Sequence, residues 1–531
     1  MARKRTDPVS LGSDHRTAWM FPRNIRRIEP WKIAQIAALV QDRIQTAEWA
    51  GNQEVQNYFT KALESAGLKR PGTQYHIKSG GARTYLAQLR ALGVAFGRKG
   101  RLYLTRAGHD LAVGERPLPI LRSLLLRMQY PSAYSSGRNV DIDPGIRVKP
   151  CVFVLQLLQL PGLSGYVRES ELIIPVVLGH NHGCVAACGD LIAQTREGRL
   201  TIEAAVAGKV EESLPRSREP FANARDIANT LKNWMLAAAL LVEEESADGS
   251  KVLSVAPGIG QLVDDALDRV DEFIDSPDNE ESYQRAYGSY DRSKDTRNLE
   301  VPSERPLRPD EPVILAEFYR LCGEKQTHDV PESFYRQLEE AYGFRRSRVA
   351  EVIEPYVARS LDFFEARFLQ LATGGTRTAL EFERAVTTVL SENFRLSALH
   401  CGQKKRPNSR PGGYADVLVL QGGPPDIGLL DAKAIREYSL PIDDLRAMQA
   451  TYAPNATELT AGAGEVKWCG YIAGGYSQGI DRRLDQLSRE VGVPIAAISA
   501  HALLRAVHDW RGLRPDEVFA RLGAARMVDR L

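Results

Sequence analysis

Two short, strongly apolar runs near the C-terminus, ADVLVL (415–420) and IGLLDAK (427–433), are separated only by the turn QGGPPD. Runs of this length, rich in Val, Leu and Ile and bounded by Gly and Pro, predict neighbouring antiparallel strands of a buried sheet. Charges stand at their ends: Asp416, Asp431 and Lys433. Asp431 and Lys433 are two residues apart and so project from one face of a strand, while Asp416 begins the strand that pairs with the end of theirs. Charged groups at the end of a core strand are costly unless they pair or bind something. Two carboxylates that share a divalent cation offset both their repulsion and their desolvation, and an ammonium beside them can position a water. Such a set suits in-line attack on a phosphodiester. The alternative reading of the same three residues is a buried ion-pair cluster without metal.

The rest of the chain bounds what this sheet belongs to. Its 531 residues suggest three or four domains at roughly 100–200 residues each. A hydrophobic fraction of 43% and a charged fraction of 26% are those of a soluble globular protein, and no apolar run reaches the roughly 20 residues of a membrane span. The N-terminus, MARKRTDPVS, has basic residues with no apolar segment behind them, so no signal peptide is expected. Six cysteines without a dense framework fit a reducing cytoplasm. Net charge is only +2, but residues 1–130 hold 22 Lys+Arg against 9 Asp+Glu, and residues 241–310 hold 8 against 18. A basic front end is the electrostatic footprint of a polyanion partner, nucleic acid first; a solvated basic face is the plainer reading.

Apolar residues recur at helical spacing from Trp31 to Trp49, over 52–66 and over 82–92. The segment VAFGRKGRLYLTRAGHDLA then predicts strand, tight turn, strand and a new helix. Three helices and a hairpin are the layout of a winged helix-turn-helix, in which one helix enters the major groove of DNA and the hairpin flanks it. The order recurs over 229–267, with an acidic second wing (Glu243, Glu244, Glu245, Asp248), and helices near 149–160 and 170–178 would complete that module. Residues 275–312 are polar and Pro-bearing and predict a linker. Helical segments near 313–322, 332–341 and 347–371 follow. The expected order is a first winged-helix module (1–135), a second (136–274), the linker (275–312) and a C-terminal domain (313–531, core about 375–531).

Asp416 followed fifteen residues later by Asp431-Ala432-Lys433 resembles the PD-(D/E)XK nuclease signature. IREYSLPIDDLRAMQATY is similar to the segment after the catalytic lysine in FokI-type cleavage domains. EVKWCGYIAGGYSQG, then IDRRLDQLSREVGVPIAAISAHALLRAVH and LRPDEVFARL, resemble that family's following strand and closing elements. The resemblance runs from about Leu380 to the end. Upstream, LLLRMQYPSAYSSGRN and IRVKPCVFVLQLLQLPG resemble the recognition half of AlwI-like type IIS restriction enzymes. The fold this implies is mixed α+β and multidomain: winged-helix modules, then an α/β PD-(D/E)XK nuclease domain around a central mixed sheet.

The resemblance also implies roles. Asp416, Asp431 and the backbone carbonyl of Ala432 would ligate Mg²⁺, with Mn²⁺ as a substitute, and Lys433 would orient the attacking water. An acidic residue on the preceding helix completes such sites; FExxVxxxL points to Glu383, with Glu381 as the fallback, since the two lie about 200° apart on a helix. Tyr414-Ala415 stand where many members have Pro before the first Asp. The implied activity is a sequence-specific type IIS endonuclease that cuts double-stranded DNA outside an asymmetric site. Its nuclease domains would associate into a dimer or tetramer to cut both strands. A strand-specific nickase and a non-catalytic DNA-binding regulator are the alternatives.

Candidate DNA contacts are Arg23, Arg26, Arg27, Lys78, Arg83, Arg90, Arg98, Lys99 and Arg101. HNHGCVAAC groups His180, His182, Cys184 and Cys188, but the spacing matches no standard finger, so zinc is not expected. PGIGQL lacks the P-loop pattern, so neither ATP nor a dinucleotide is expected. Nor is S-adenosylmethionine, which makes a protective DNA methyltransferase a separate polypeptide. The expected setting is a bacterial cytoplasm, without membrane association.

Overall fold

The first amphipathic run folds as helix α1, Pro30–Arg43, with proline in its first turn, where a missing amide hydrogen costs nothing. It is shorter than the 31–49 periodicity predicts. Thr46 takes a left-handed φ of 64°, and the chain leaves the helix to bond a hairpin: Thr46 N–H donates to Leu102 O at 2.7 Å and Trp49 N–H to Gly100 O at 2.8 Å. This computed structural model describes residues 18–22, 25, 28–69, 80–136, 142–207, 221–246, 248–290, 310–327, 329–404, 413–422 and 425–528. The chain divides into two compact units, Met1–Val255 with Leu262–Ala366, and Ala256–Gln261 with Arg367–Leu531. Each mixes helices with sheet, and no helix among the described residues is long and apolar enough to cross a membrane.

In the first unit α2 (Gln53–Ser65) is capped by Asn52, whose side chain accepts the Val55 amide, and buries Phe59 and Leu63. Helix α3 (Gly80–Ala91) leads into strands β1 (Ala95–Arg98) and β2 (Arg101–Leu104). Their two-residue turn, Lys99-Gly100, has φ of 48° and 76°, the left-handed pair that matches the twist of a tight hairpin. The LTRAG run then explains itself. Thr105 caps α4 (Arg106–Ala112) by accepting the Gly108 amide, and a Cβ at Gly108 would stand 2.3 Å from Val94 O.

The later segment places α5 (Pro150–Leu158), α6 (Ile173–Leu178), α7 (Val185–Arg196) and α8 (Ala222–Ala237) before a second hairpin. Strands β3 (Tyr166–Val167), β4 (Leu241–Glu245) and β5 (Lys251–Val255) form an antiparallel sheet in the order β3-β5-β4. Within the stretch that reads as a linker, Glu280–Tyr287 forms a further helix, α9, with Tyr283 and Tyr287 wholly buried. Those two aromatics, four apart, are the apolar face that the polar composition hides. Helices α10 (Glu311–Glu324) and α11 (Glu332–Tyr342) follow; the long helix expected over 347–371 is two, α12 (Arg346–Val357) and α13 (Ser360–Leu371). Pro355, which cannot donate a helical hydrogen bond, lies two residues before the first of them ends.

The second unit is built on six strands: β6 (Ser397–His400), β7 (Val417–Gln421), β8 (Asp426–Lys433), β9 (Glu465–Ala473), β10 (Ile495–Ser499) and β11 (Arg526–Met527). They lie in the order β11-β10-β9-β8-β7-β6; β6 to β8 are antiparallel, and β8 to β11 are parallel. Helices α14 (Ala379–Thr388), α15 (Ile442–Ala447, continued as a π-turn over Met448–Tyr452), α16 (Ile480–Val491), α17 (Ala500–Asp509) and α18 (Pro515–Gly523) complete it. Tyr438, Tyr471 and Tyr476 sit in its core, and Tyr476 OH bridges β9 to β10 by donating to Tyr471 O while accepting the Ile498 amide.

Trp468 on β9 packs where only glycine leaves room. A Cβ at Gly428 would lie 2.2 Å from its ring, and one at Gly523 would lie 2.3 Å from it. Gly428→Ala must displace a buried indole and is expected to destabilise this unit by about 1–3 kcal/mol. Urea unfolding followed by tryptophan fluorescence measures the loss.

Candidate active site

The register of β7 against β8 decides what the acidic residues meet. Val417 pairs with Leu430, so Asp416, one residue before β7, lies across from Asp431. Asp416 is held at both ends. Its carbonyl accepts the Cys401 amide at 2.7 Å, and its Oδ2 accepts the Ala432 amide at 2.8 Å. Asp431 is 3% exposed, and Lys433, two residues along the strand, puts its Nζ 2.9 Å from Asp431 Oδ2. That contact joins a buried carboxylate to an ammonium that it shares with other acidic groups.

Helix α14 adds the third carboxylate. Glu383 is nearly buried and its Oε2 accepts from His400 Nε2 at 2.9 Å. Glu381 points elsewhere: it is 59% exposed and pairs with Arg367 at 2.7 Å. Gly402 locates Glu383 against Asp416, because a Cβ there would stand 2.6 Å from Asp416 Oδ1 and 2.9 Å from Glu383 Oε2. The structure thus brings Asp416, Asp431, Lys433 and Glu383 together and leaves Glu381 outside.

The electrostatics of the cluster are short of positive charge. Burial, then the charge of Asp431 and a hydrogen bond with it, then Glu383, push the Asp416 carboxyl up to about 9. Burial opposes the charge on Lys433, but Asp431, Asp444 and Asp416 override it and raise the ammonium above its ordinary value. That ammonium is also shared: Asp444 Oδ1 lies 3.3 Å from Nζ, while Asp444 Oδ2 accepts from Tyr438 OH at 2.8 Å. Carboxyl groups from β7, β8 and α14 in one neighbourhood, with a single ammonium that is partly committed to Asp444, are oxygen donors of the kind a hard divalent cation takes.

Sequence reading missed His400, Gly402, Asp444 and Tyr438. The acidic pair in LPIDDL hinted at Asp444, but nothing local tells that β6 will lie beside β7 with His400 opposite Val417.

The basic residues singled out for DNA fare differently. Arg23, Arg26, Arg27 and Lys78 lie outside the described residues. Arg83 is exposed on α3, and Lys99 is exposed in the turn of the hairpin. Arg90 pairs with Glu280, Arg98 with Glu281 at 3.3 Å, and Arg101 with Thr46 O at 2.9 Å and Glu48 at 3.4 Å. His182, in the His/Cys run, has both ring nitrogens engaged. Nε2 accepts the Lys149 amide at 3.0 Å, Nδ1 bonds Gln156 Oε1 at 2.7 Å, and burial beside Lys149 holds the ring down to about 4. Both nitrogens are thus engaged within the protein, and its surroundings favour the neutral ring.

Residues 343–513 match the family model described as FokI, cleavage domain. The chain carries a FokI-type cleavage domain. The protein is accordingly a site-specific DNA nuclease of the type IIS restriction class. Two solved structures of restriction endonuclease FokI, one bound to DNA, align at 12% identity over 96% and 97% of this chain and 100% of theirs, each with a TM-score of 0.26. The BpuJ1 endonuclease binding domain, in complex with pyrene- and phenanthrene-modified DNA, aligns at 12% identity over 54% of this chain and 99% of its own, with a TM-score of 0.32. No curated protein sequence matches the chain.

The raised carboxyl of Asp416 gives the cleavage domain a pH signature. Folding favours its protonated form, so the stability it contributes is complete below about pH 4 and is lost as pH rises toward 9. Asp416→Asn deletes the buried charge. In the absence of divalent metal it is expected to raise the melting temperature at pH 8 by roughly 2–4 °C for each kcal/mol of repulsion relieved, with a smaller gain at pH 5. Differential scanning calorimetry in EDTA reads both.

Proposed function

We propose that this nuclease is Mg²⁺-dependent, reads an asymmetric DNA site through its first unit, and cuts both strands outside that site by association of cleavage domains. The convergence of Asp416, Asp431, Glu383 and Lys433 at the ends of β7 and β8, within the FokI-type segment, carries the reading. Asp416, Asp431 and the Ala432 carbonyl would hold the cation. When bound, it supplies positive charge against the phosphate oxygens of the scissile bond, which a cluster of carboxylates alone would repel.

The chain's own groups do the remainder. Asp431 and Asp444 hold Lys433 from two sides, so its ammonium is presented in a fixed place, where it can donate to the attacking water and to a phosphate oxygen. Glu383 completes the acidic wall on the side of α14. Asp416 keeps its orientation through the Ala432 amide, so the strand that carries Lys433 also sets the first carboxylate.

In the first unit, the two helix-and-hairpin segments, 30–112 and 150–255, support a reading as winged-helix DNA modules. Lys99 in the exposed hairpin turn and Arg83 on α3 are the described basic residues best placed for DNA. A single carboxylate cluster cuts one strand at a time, which is why a double-strand break calls for a homo-oligomer on DNA. The cell, a bacterium with a separate methyltransferase, would need its own sites masked.

Asp431→Ala is expected to lower cleavage of a plasmid substrate in Mg²⁺ by roughly 10³-fold or more while DNA binding is retained. Wild-type protein should convert supercoiled plasmid to linear product. Accumulation of open circle alone would establish the nickase instead, and wild-type cleavage by Asp431→Ala would remove this cluster from the mechanism.

A further inference from the structure

We propose that His400 is a positioning residue for the metal site, holding Glu383 in the one orientation that lets it act with Asp416 and Asp431. The inference rests on the placement of Glu383 in the active site.

His400 is the last residue of β6, an edge strand, and sits opposite Val417, the neighbour of Asp416. Its Nε2–H donates to Glu383 Oε2 at 2.9 Å, and both side chains are largely buried, 21% and 13% exposed. The oxygen it takes is the one that a Cβ at Gly402 would meet at 2.9 Å. Oε2 is therefore held by a donor on β6, in the space beside Gly402 that Asp416 Oδ1 also borders. With Oε2 held there, the whole carboxylate of Glu383 is set beside Asp416.

A glutamate on a helix has three rotatable bonds, and Glu383 retains partial access to solvent. Without a partner its carboxylate would be free to swing toward that solvent and away from Asp416. A single donor on Oε2 prevents this, as hydrogen bonds to ligating carboxylates commonly do in metal sites, where their loss costs about 10–100-fold in metal affinity.

The contact atom gives a discriminating test. Glutamine can place its amide nitrogen where Nε2 stands, whereas the amide of asparagine reaches only as far as Nδ1. The full-length protein is titrated with Mn²⁺ in the absence of DNA, and the concentration giving half of the thermal stabilisation is read for wild type, His400→Ala, His400→Gln, His400→Asn and Glu383→Gln. His400→Ala and His400→Asn are expected to raise that concentration about 10–100-fold, and His400→Gln to restore it to near the wild-type value. If Glu383→Gln shifts the half-point while His400→Ala does not, the proposal fails and the Glu383 assignment stands. A shift in His400→Gln as large as in His400→Asn also overturns it, since the donor geometry then does not matter. If Glu383→Gln itself leaves the half-point unchanged, the Glu383 assignment falls, and the role of His400 with it.

Discussion

One main-chain hydrogen bond, from the Ala432 amide to Asp416 Oδ2, ties the first carboxylate to the strand that carries the other functional groups. It forms because β7 and β8 pair with Val417 opposite Leu430, which leaves Asp416 just beyond the ladder and facing Asp431. A shift of one residue would turn every side chain of β8 to the other face and separate the two aspartates. The continuous apolar run of β8, buried from Ile427 to Ala432, therefore does two things at once. It holds the core, and it keeps two carboxyl groups closer together than two full charges would tolerate.

This crowding explains the surrounding groups. Asp416 is pushed up to about 9 because burial and Asp431 both oppose its charge, and the single ammonium nearby cannot neutralise all of its neighbours. Lys433 is drawn toward Asp431 and Asp444 together, and Asp444 is itself fixed by Tyr438. Each of these contacts positions a group at the expense of its freedom to screen the others. Carboxyl groups outnumber cations here, and burial with the charge of Asp431 disfavours the ionised form of Asp416. A divalent cation held as proposed would favour that ionised form, which would link its affinity to pH.

Much of this was legible in the residues. Two apolar runs with a Gly-Pro turn sufficed for the β7–β8 pair, and the spacing of Asp431 and Lys433 sufficed for their common face. Helix geometry separated Glu383 from Glu381 in principle but could not choose between them; the choice follows from His400 and Gly402, which come from strands and loops distant in sequence. Periodicity also overran real boundaries. The helix from Trp31 ends at Arg43 because the chain is claimed by the hairpin at 100–102, and α9 was hidden because two buried tyrosines in a polar stretch make no visible pattern. Both are tertiary contacts, which override local propensity without leaving a trace in the local sequence.

Charge counting has the same weakness, and the first unit shows where it enters. The basic excess of residues 1–130 and the acidic excess of 241–310 look in the sequence like two separate surfaces. In the fold part of each is spent on the other: Glu280 and Glu281, in the first turn of α9, take Arg90 and Arg98. Glu280 also accepts the Gly97 amide at 2.9 Å, so it fastens the strand as well as the side chain. An arginine held this way contributes to the field around the unit only as half of a pair, and to recruit it a phosphate would have to displace its carboxylate. DNA affinity should therefore follow the exposed basic groups, Lys99 in the hairpin turn among those described, rather than the net charge of the segment.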